Sequence, residues 1–213
     1  MVMLTDGMIT WGWCQMIFRF GNMWDVWNDA DTYWAFTGNS TLDTNNGLVM
    51  GGGIAKEVFD YLGSAVSASF GKAISKRCGN FGFYGWINGR HLCVLQTKTN
   101  YRFKSNIPLI TSSIAELSKF VSDLPKGVVV HIPMPGVGLG GLSLGEVIPV
   151  IKDLPDSVHV WMNDYKGDVG NEALLECGCR VLVLGDVGID YFCSICGDIK
   201  NIIHTKQIPV WWL

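Results

Sequence analysis

The chain has 213 residues, 16 basic and 19 acidic side chains for a net charge of −3, and 48 % apolar against 16 % charged residues. So few charges among so many apolar side chains exclude a disordered chain, and an acidic balance without Lys/Arg clusters excludes a strongly basic nucleic-acid surface. No apolar run of 18 residues is present to span a bilayer, and the opening MVMLTDGMIT lacks the basic and apolar regions of a secretory leader.

In chain order, residues 31–36 (DTYWAF) predict an aromatic strand that runs into a polar loop. Gly51, Gly52 and Gly53 then lead into 54–62, where Ile54, Ala55, Val58, Phe59 and Leu62 recur at helical spacing. A strand is expected over 91–95 and a helix over 113–124. Residues 128–132 are β-branched and almost unbroken, as in a strand buried on both faces. A second glycine run, 136–141, follows Pro133-Met134-Pro135. Ser143 and Glu146 have capping-box spacing, so a helix should open at Leu144, with Pro149 kinking or shortening it. A further strand is expected over 158–161. This alternation predicts a layered α/β fold. In the tail, a short helix is expected over 172–176, a strand over 180–184 and a helix over 190–203. That last helix would place Phe192, Ile195, Cys196, Ile199 and Ile203 on one face.

Glycine is over-represented, at 26 of 213 residues, and its placement carries chemistry. A glycine run between the carboxyl end of a strand and the start of a helix lets backbone N–H groups approach an anion closely. The first helical turn adds unpaired donors and the positive end of its dipole. Two such runs at the carboxyl edge of one sheet suit a diphosphate better than a single phosphate. The second run also fits the dinucleotide pattern G-x-G-x-x-G as Gly136, Gly138 and Gly141, with Asp153 or Asp156 placed to hold a ribose. A Rossmann NAD oxidoreductase is therefore a competing reading, although it leaves the first glycine run unexplained.

Four stretches, in order over about residues 20–162, together resemble the macro domain, an ADP-ribose-binding family. Gly21-Asn22-Met23-Trp24 is similar to the family's Gly-Asp-Ile-Trp. Asn45-Asn46-Gly47-Leu48-Val49-Met50-Gly51-Gly52-Gly53-Ile54-Ala55 is similar to its asparagine followed by V-M-G-x-G-I-A. Thr97-Lys98 with Arg102, Ser105 and Ile107 resembles the T-K-x-x-W-R-x-x-S-x-L of members that remove ADP-ribose from bases or acidic side chains. Gly136-Val137-Gly138-Leu139-Gly140-Gly141-Leu142 is similar to the diphosphate loop G-x-G-x-G-G-L.

The resemblance implies a three-layer α/β/α macro-type mixed sheet over residues 1–163, with a small C-terminal α/β extension over 164–213 docked on it. It implies that Asn22 and Met23 face the adenine and that Gly51, Gly52, Gly53 and Ile54 line the distal phosphate and ribose. Gly136, Val137, Gly138, Leu139, Gly140 and Gly141 would hold the diphosphate. Asn39 or Asn45 would face the distal ribose, Asn45 being carried as a catalytic candidate beside Lys98. Lys98 falls at the lysine that acts at the ribose C1″, a role that suits a desolvated amine. The activity implied is metal-independent hydrolysis of an ADP-ribosyl linkage on a protein, a nucleic acid or a smaller derivative, with no cofactor. Asn22 in place of the usual aspartate, Asn100-Tyr101 in place of His-Trp, and the absence of an aspartate near Leu139-Gly140 keep a second reading open: a reader or sequestering module that binds ADP-ribose without cleaving it.

The seven cysteines, an odd number, point to a reducing, cytoplasmic setting. Cys14, Cys78 and Cys93 read as isolated buried thiols. Cys177, Cys179, Cys193 and Cys196 have the form C-x-C then C-x-x-C. As a zinc site they would need four converging thiolates. The strand expected between the pairs makes buried thiols the reading preferred here.

Overall fold

The computed structural model describes residues 4–5, 8–9, 17–77, 80–87, 90–162, 169–175, 180–184, 190–193 and 198–209. Strands β1 (Leu4–Thr5) and β2 (Met8–Ile9) pair only with each other. The main sheet contains β3 (Ile17–Phe20), β4 (Thr32–Gly38), β5 (Phe83–Ile87), β6 (Arg90–Gln96), β7 (Val129–Pro133) and β8 (Val158–Met162). Their order is β3-β8-β7-β4-β6-β5, and every neighbour pair is parallel except β5 with β6.

Each central strand is apolar on both sides, because each side is covered. Trp34, Phe36, Leu92 and Val94 face one core with Ala55, Val58, Val66, Phe70 and Ile74, from helices α1 (Gly53–Leu62) and α2 (Ser64–Ile74). The alternate residues Ala35, Cys93 and Leu95 face a second core with Ile110, Ile114, Leu117, Val147 and Ile151, from α3 (Ile107–Ser122) and α4 (Leu144–Ile151). A period of two that fills both faces makes a mixed sheet between two helical layers. The three-layer α/β/α arrangement is present.

Local signals set most boundaries. The Ser143–Glu146 capping box starts α4, and Pro149 sits inside a helix of only eight residues. Helix α3 begins six residues before the expected start: the Asn106 carboxamide oxygen accepts from the Leu109 N–H at 3.0 Å, and Pro108 occupies the first turn. Cys93 is fully buried in the core, whereas Cys14 and Cys78 lie outside the described residues.

The extension departs from expectation. Strands β9 (Val169–Leu175), β10 (Arg180–Leu184), β11 (Asp190–Cys193) and β12 (Asp198–Pro209) form an antiparallel sheet in the order β10-β9-β12-β11. Residues 172–175 and most of 190–203, read above as helices, are strands. Only the strand over 180–184 stands as expected. The reason is non-local pairing: Ala173 has Val181 on one side and Thr205 on the other, and the Ile-rich run 199–208 favours a pleated partner over a helix. Of the four cysteines considered for zinc, Cys177, Cys179 and Cys196 lie outside the described residues, and Cys193 is the last residue of β11. No helix among the described residues is long and apolar enough to cross a membrane.

Candidate functional site

Four parallel strands deliver their carboxyl ends to one edge of the sheet. At that edge Asn39 follows β4, Thr97 and Lys98 follow β6, Met134 follows β7, and Trp161 and Met162 close β8. All of them line a cleft of about 1080 Å³. Gly51, Gly52, Gly53 and Ile54 line it from the start of α1; Gly136, Val137, Gly138, Leu139 and Gly140 line it from the loop after β7. The two loops face each other at close range, since a Cβ added to Gly52 would stand 3.0 Å from Leu139 Cδ1. Segments some 85 residues apart in the chain thus share one cleft.

The first loop is held from behind. Asp43 Oδ1 accepts from the N–H groups of Asn45 (2.8 Å) and Gly47 (2.9 Å), and Asn46 takes a left-handed φ of 59°. This is the turn that an Asn-Asn-Gly sequence favours. The turn rests on α2: Leu48 N–H donates to the Ser67 carbonyl, and the Ser67 hydroxyl donates to the Leu48 carbonyl, both at 2.9 Å. Asn39 continues the anchoring toward the cleft. Its Nδ2 donates to the Val49 carbonyl (2.9 Å) and its Oδ1 accepts from Thr41 N–H (2.8 Å), with the side chain buried.

The second loop is held from below. Gly138–Gly140 form one 3-10 turn. The Gly140 carbonyl accepts from Ser105 N–H at 2.8 Å. Gly136 adopts φ +76°, and a Cβ there would stand 2.7 Å from Ile110 Cδ1 and 2.9 Å from Leu142 Cδ1. The conformation and the space both call for glycine at this point.

Among the described residues that line the cleft, Lys98 is the one cation and Glu57 the one carboxylate. Lys98 lies just past the last β4–β6 pair, where Thr97 N–H donates to the Gly38 carbonyl at 3.0 Å. Its Nζ donates to the Leu139 carbonyl at 3.0 Å. Partial burial pulls its pKa below the ordinary lysine value, which enlarges the neutral, nucleophilic fraction. Glu57 accepts from Trp24 Nε1 at 2.7 Å.

Several candidate residues sit elsewhere. Asn45 is exposed on the supporting turn rather than on the cleft wall, because its segment is spent closing that turn on α2. Met23 is fully buried in the core beneath α1, and its carbonyl accepts from Trp34 Nε1. Asn22 caps the short 3-10 helix Met23–Val26, its Oδ1 accepting from Trp24 N–H at 3.1 Å. Gly141 adopts φ +74° as the loop leaves the cleft wall. Asp153 and Asp156, the carboxylates a Rossmann reading needs near a ribose, are exposed in the connection before β8, at the opposite edge of the sheet. That placement removes the Rossmann reading. Sequence reasoning missed Glu57 and Trp161 as cleft residues. Glu57 follows only from α1 geometry, and nothing local distinguishes Trp161 from the eight other tryptophans.

No protein-family profile and no curated protein sequence matches the chain. Solved structures do resemble it. The macrodomain of Mycobacterium tuberculosis DarG is 23 % identical with a TM-score of 0.53, and the match covers 68 % of this chain and 97 % of that one. The macrodomain of Thermus aquaticus DarG is 21 % identical at a TM-score of 0.53, over 70 % and 98 % of the two chains. Thermosipho africanus DarTG in complex with ADP-ribose is 20 % identical at a TM-score of 0.50, over 68 % of this chain and 41 % of that one. The fold is that of a macrodomain.

Proposed function

We propose that this chain, folded as a macrodomain, binds ADP-ribose between its two glycine loops and hydrolyses an ADP-ribosyl linkage at Lys98. The observation that carries the reading is the shared cleft: two glycine loops and a partly desolvated lysine converge on the carboxyl edge of one sheet. Backbone N–H groups of 51–53 and 136–140 cradle the diphosphate, and Asn39 fixes the wall beside the distal ribose. The neutral Lys98 amine adds to C1″. The bond from C1″ to the protein or nucleic-acid group breaks, and that group leaves with the electron pair and takes up a proton. Water then cleaves the lysine–sugar link, returning the amine and free ADP-ribose. This chemistry draws on lysine and water and calls for no metal or cofactor. In this reading residues 1–163 are the ligand-binding unit of a cytoplasmic protein, and residues 164–213 are an extension docked on it.

Titration calorimetry with ADP-ribose tests binding; no heat at millimolar ligand, with folding confirmed by circular dichroism, rejects it. Replacement Lys98→Ala should lower release of ADP-ribose from modified DNA or protein by at least about 100-fold, the scale of a lost nucleophile, and leave ADP-ribose affinity within a few-fold. A second reading, a non-cleaving reader, is favoured by one observation: Lys98 donates to the Leu139 carbonyl and no carboxylate pairs with it among the described residues. If the wild-type protein binds ADP-ribose and releases none from any modified substrate, that reading replaces the first.

A further inference from the structure

Ser105 takes no part in the chemistry above, yet among the described cleft residues its side chain holds a buried polar atom without a partner. Its side chain lines the cleft and is only 6 % exposed. Its hydroxyl is buried and has no hydrogen-bond partner among the described residues. A buried hydroxyl without a partner is costly, and native structures keep few of them without a use. The surroundings indicate the use. Ser105 N–H donates to the Gly140 carbonyl, which ties the residue to the second glycine loop. A Cβ on Gly140 would stand 2.6 Å from Ser105 Oγ, and one on Gly136 would stand 3.2 Å from Ser105 Cβ. The hydroxyl therefore lies against Gly140 and the Ser105 Cβ against Gly136, two loop positions where no side chain intervenes.

We infer that Ser105 is a further binding residue, whose hydroxyl donates to the diphosphate oxygen that the second glycine loop cradles. This rests on the ADP-ribose reading. A hydroxyl can rotate to follow its acceptor, and a hydrogen bond to an anionic oxygen is stronger than one to a neutral group. The N–H donors of the loop and the hydroxyl beneath it then converge on one phosphate from two sides. The serine of the T-K-x-x-x-R-x-x-S stretch thereby acquires a role distinct from that of its lysine.

The test compares the wild-type chain with Ser105→Ala and the near-isosteric Ser105→Cys, measuring ADP-ribose affinity, Tm without ligand, and the phosphorus-31 resonances of bound ADP-ribose. Both variants should bind ADP-ribose about 5- to 10-fold more weakly, with Ser105→Ala melting at or above the wild-type temperature because the unpaired hydroxyl is gone. One of the two phosphorus resonances should move. Unchanged affinity in both variants overturns the assignment, and so does weaker binding that comes with a lower Tm and unmoved resonances, the mark of a structural role. If the wild-type chain itself fails to bind ADP-ribose, the reading beneath the proposal falls; if it binds and the variants bind equally, only the serine assignment does.

Discussion

The two glycine loops, which in the proposed reading share one ligand, are held in place by different means. Around the first, Gly51 and Gly52 have open space: nothing lies within 4 Å of a Cβ on Gly51, and only Leu139 limits Gly52. Its rigidity is imported from upstream, where the Asn46–Gly47 turn packs on Gly71 of α2. In the second loop Gly136 is itself packing surface, set against Ile110 and Leu142. A binding surface bare toward its ligand must be fixed from its other side, and the chain contains one remote and one direct solution.

The sharpest way to break this contrast is at the remote anchor. A Cβ on Gly71 would stand 1.9 Å from the Asn46 carbonyl oxygen and 2.8 Å from Gly47 Cα, both backbone atoms that cannot turn aside. Gly71→Ala should destabilise the protein by about 3–5 kcal/mol, read as the shift in urea midpoint at constant m. Gly136→Ala meets side-chain ends that can move but also a φ of +76°, and should cost about 2 kcal/mol. Gly51→Ala should stay within about 0.5 kcal/mol of wild type in stability while weakening ADP-ribose binding. Equal stability losses at Gly51 and Gly136 would erase the distinction.

Acid offers a second way in, at the strand that carries the second loop and its neighbour. His131 on β7 lies opposite His159 on β8, and Trp161 Nε1 donates to His131 Nδ1 at 2.9 Å. That bond requires His131 Nδ1 to be unprotonated. Burial first, and the Arg19 charge second, lower both histidine pKa values from 6.5 to about 4; at His159 the neighbouring His131 adds to this, and Arg19 Nε donates to His159 Nδ1 at 3.4 Å. The unfolded chain then binds more protons than the folded one between about 6.5 and 4, so stability falls as pH drops through that window. The loss should be on the order of 2 kcal/mol for each ring, checked by urea midpoints at pH 7 and pH 4.5. Because Trp161 lines the cleft, its fluorescence should change in the same window. A pH-independent midpoint in the His131→Gln, His159→Gln double variant would assign the effect to these rings.

Much of this arrangement was legible in the residues. The glycine runs, the capping box of α4 and the apolar run of β7 are local signals, and they mark both loops, whereas the lysine segment was legible only through its resemblance to a family stretch. What stayed hidden depends on partners distant in the chain. Helix α2 (SAVSASFGKAI) carries small residues and a glycine that weaken its helical signature, yet that glycine is the point on which the Asn46 turn rests. The strands of the extension are fixed by pairings such as Ala173 with Thr205, which local periodicity does not encode. Asn45 looked like a ligand residue because the stretch 45–55 reads as one motif. In space its first half is scaffold and its second half is cleft, and contacts with Asp43, Ser67 and Gly71 draw that division.

Leu139 offers the finest test, because it is where the loops meet. Its side chain is 74 % exposed yet extends to Gly52, while its carbonyl accepts from Lys98 Nζ. The two contacts are separable, since the hydrogen bond uses backbone and survives truncation of the side chain. Leu139→Ala should therefore leave Lys98 placed, keep turnover within about two-fold, and change stability by no more than about 0.5 kcal/mol, as expected for an exposed position. What it removes is the apolar bridge between the two glycine loops at the mouth of the cleft. Association of ADP-ribose followed by stopped-flow fluorescence should accelerate two- to three-fold, an effect on the order of 0.5 kcal/mol in the entry barrier. A slower association or a weaker complex would show instead that Leu139 closes on the ligand after entry, making the directly packed loop the part that moves and the remotely anchored one the fixed wall.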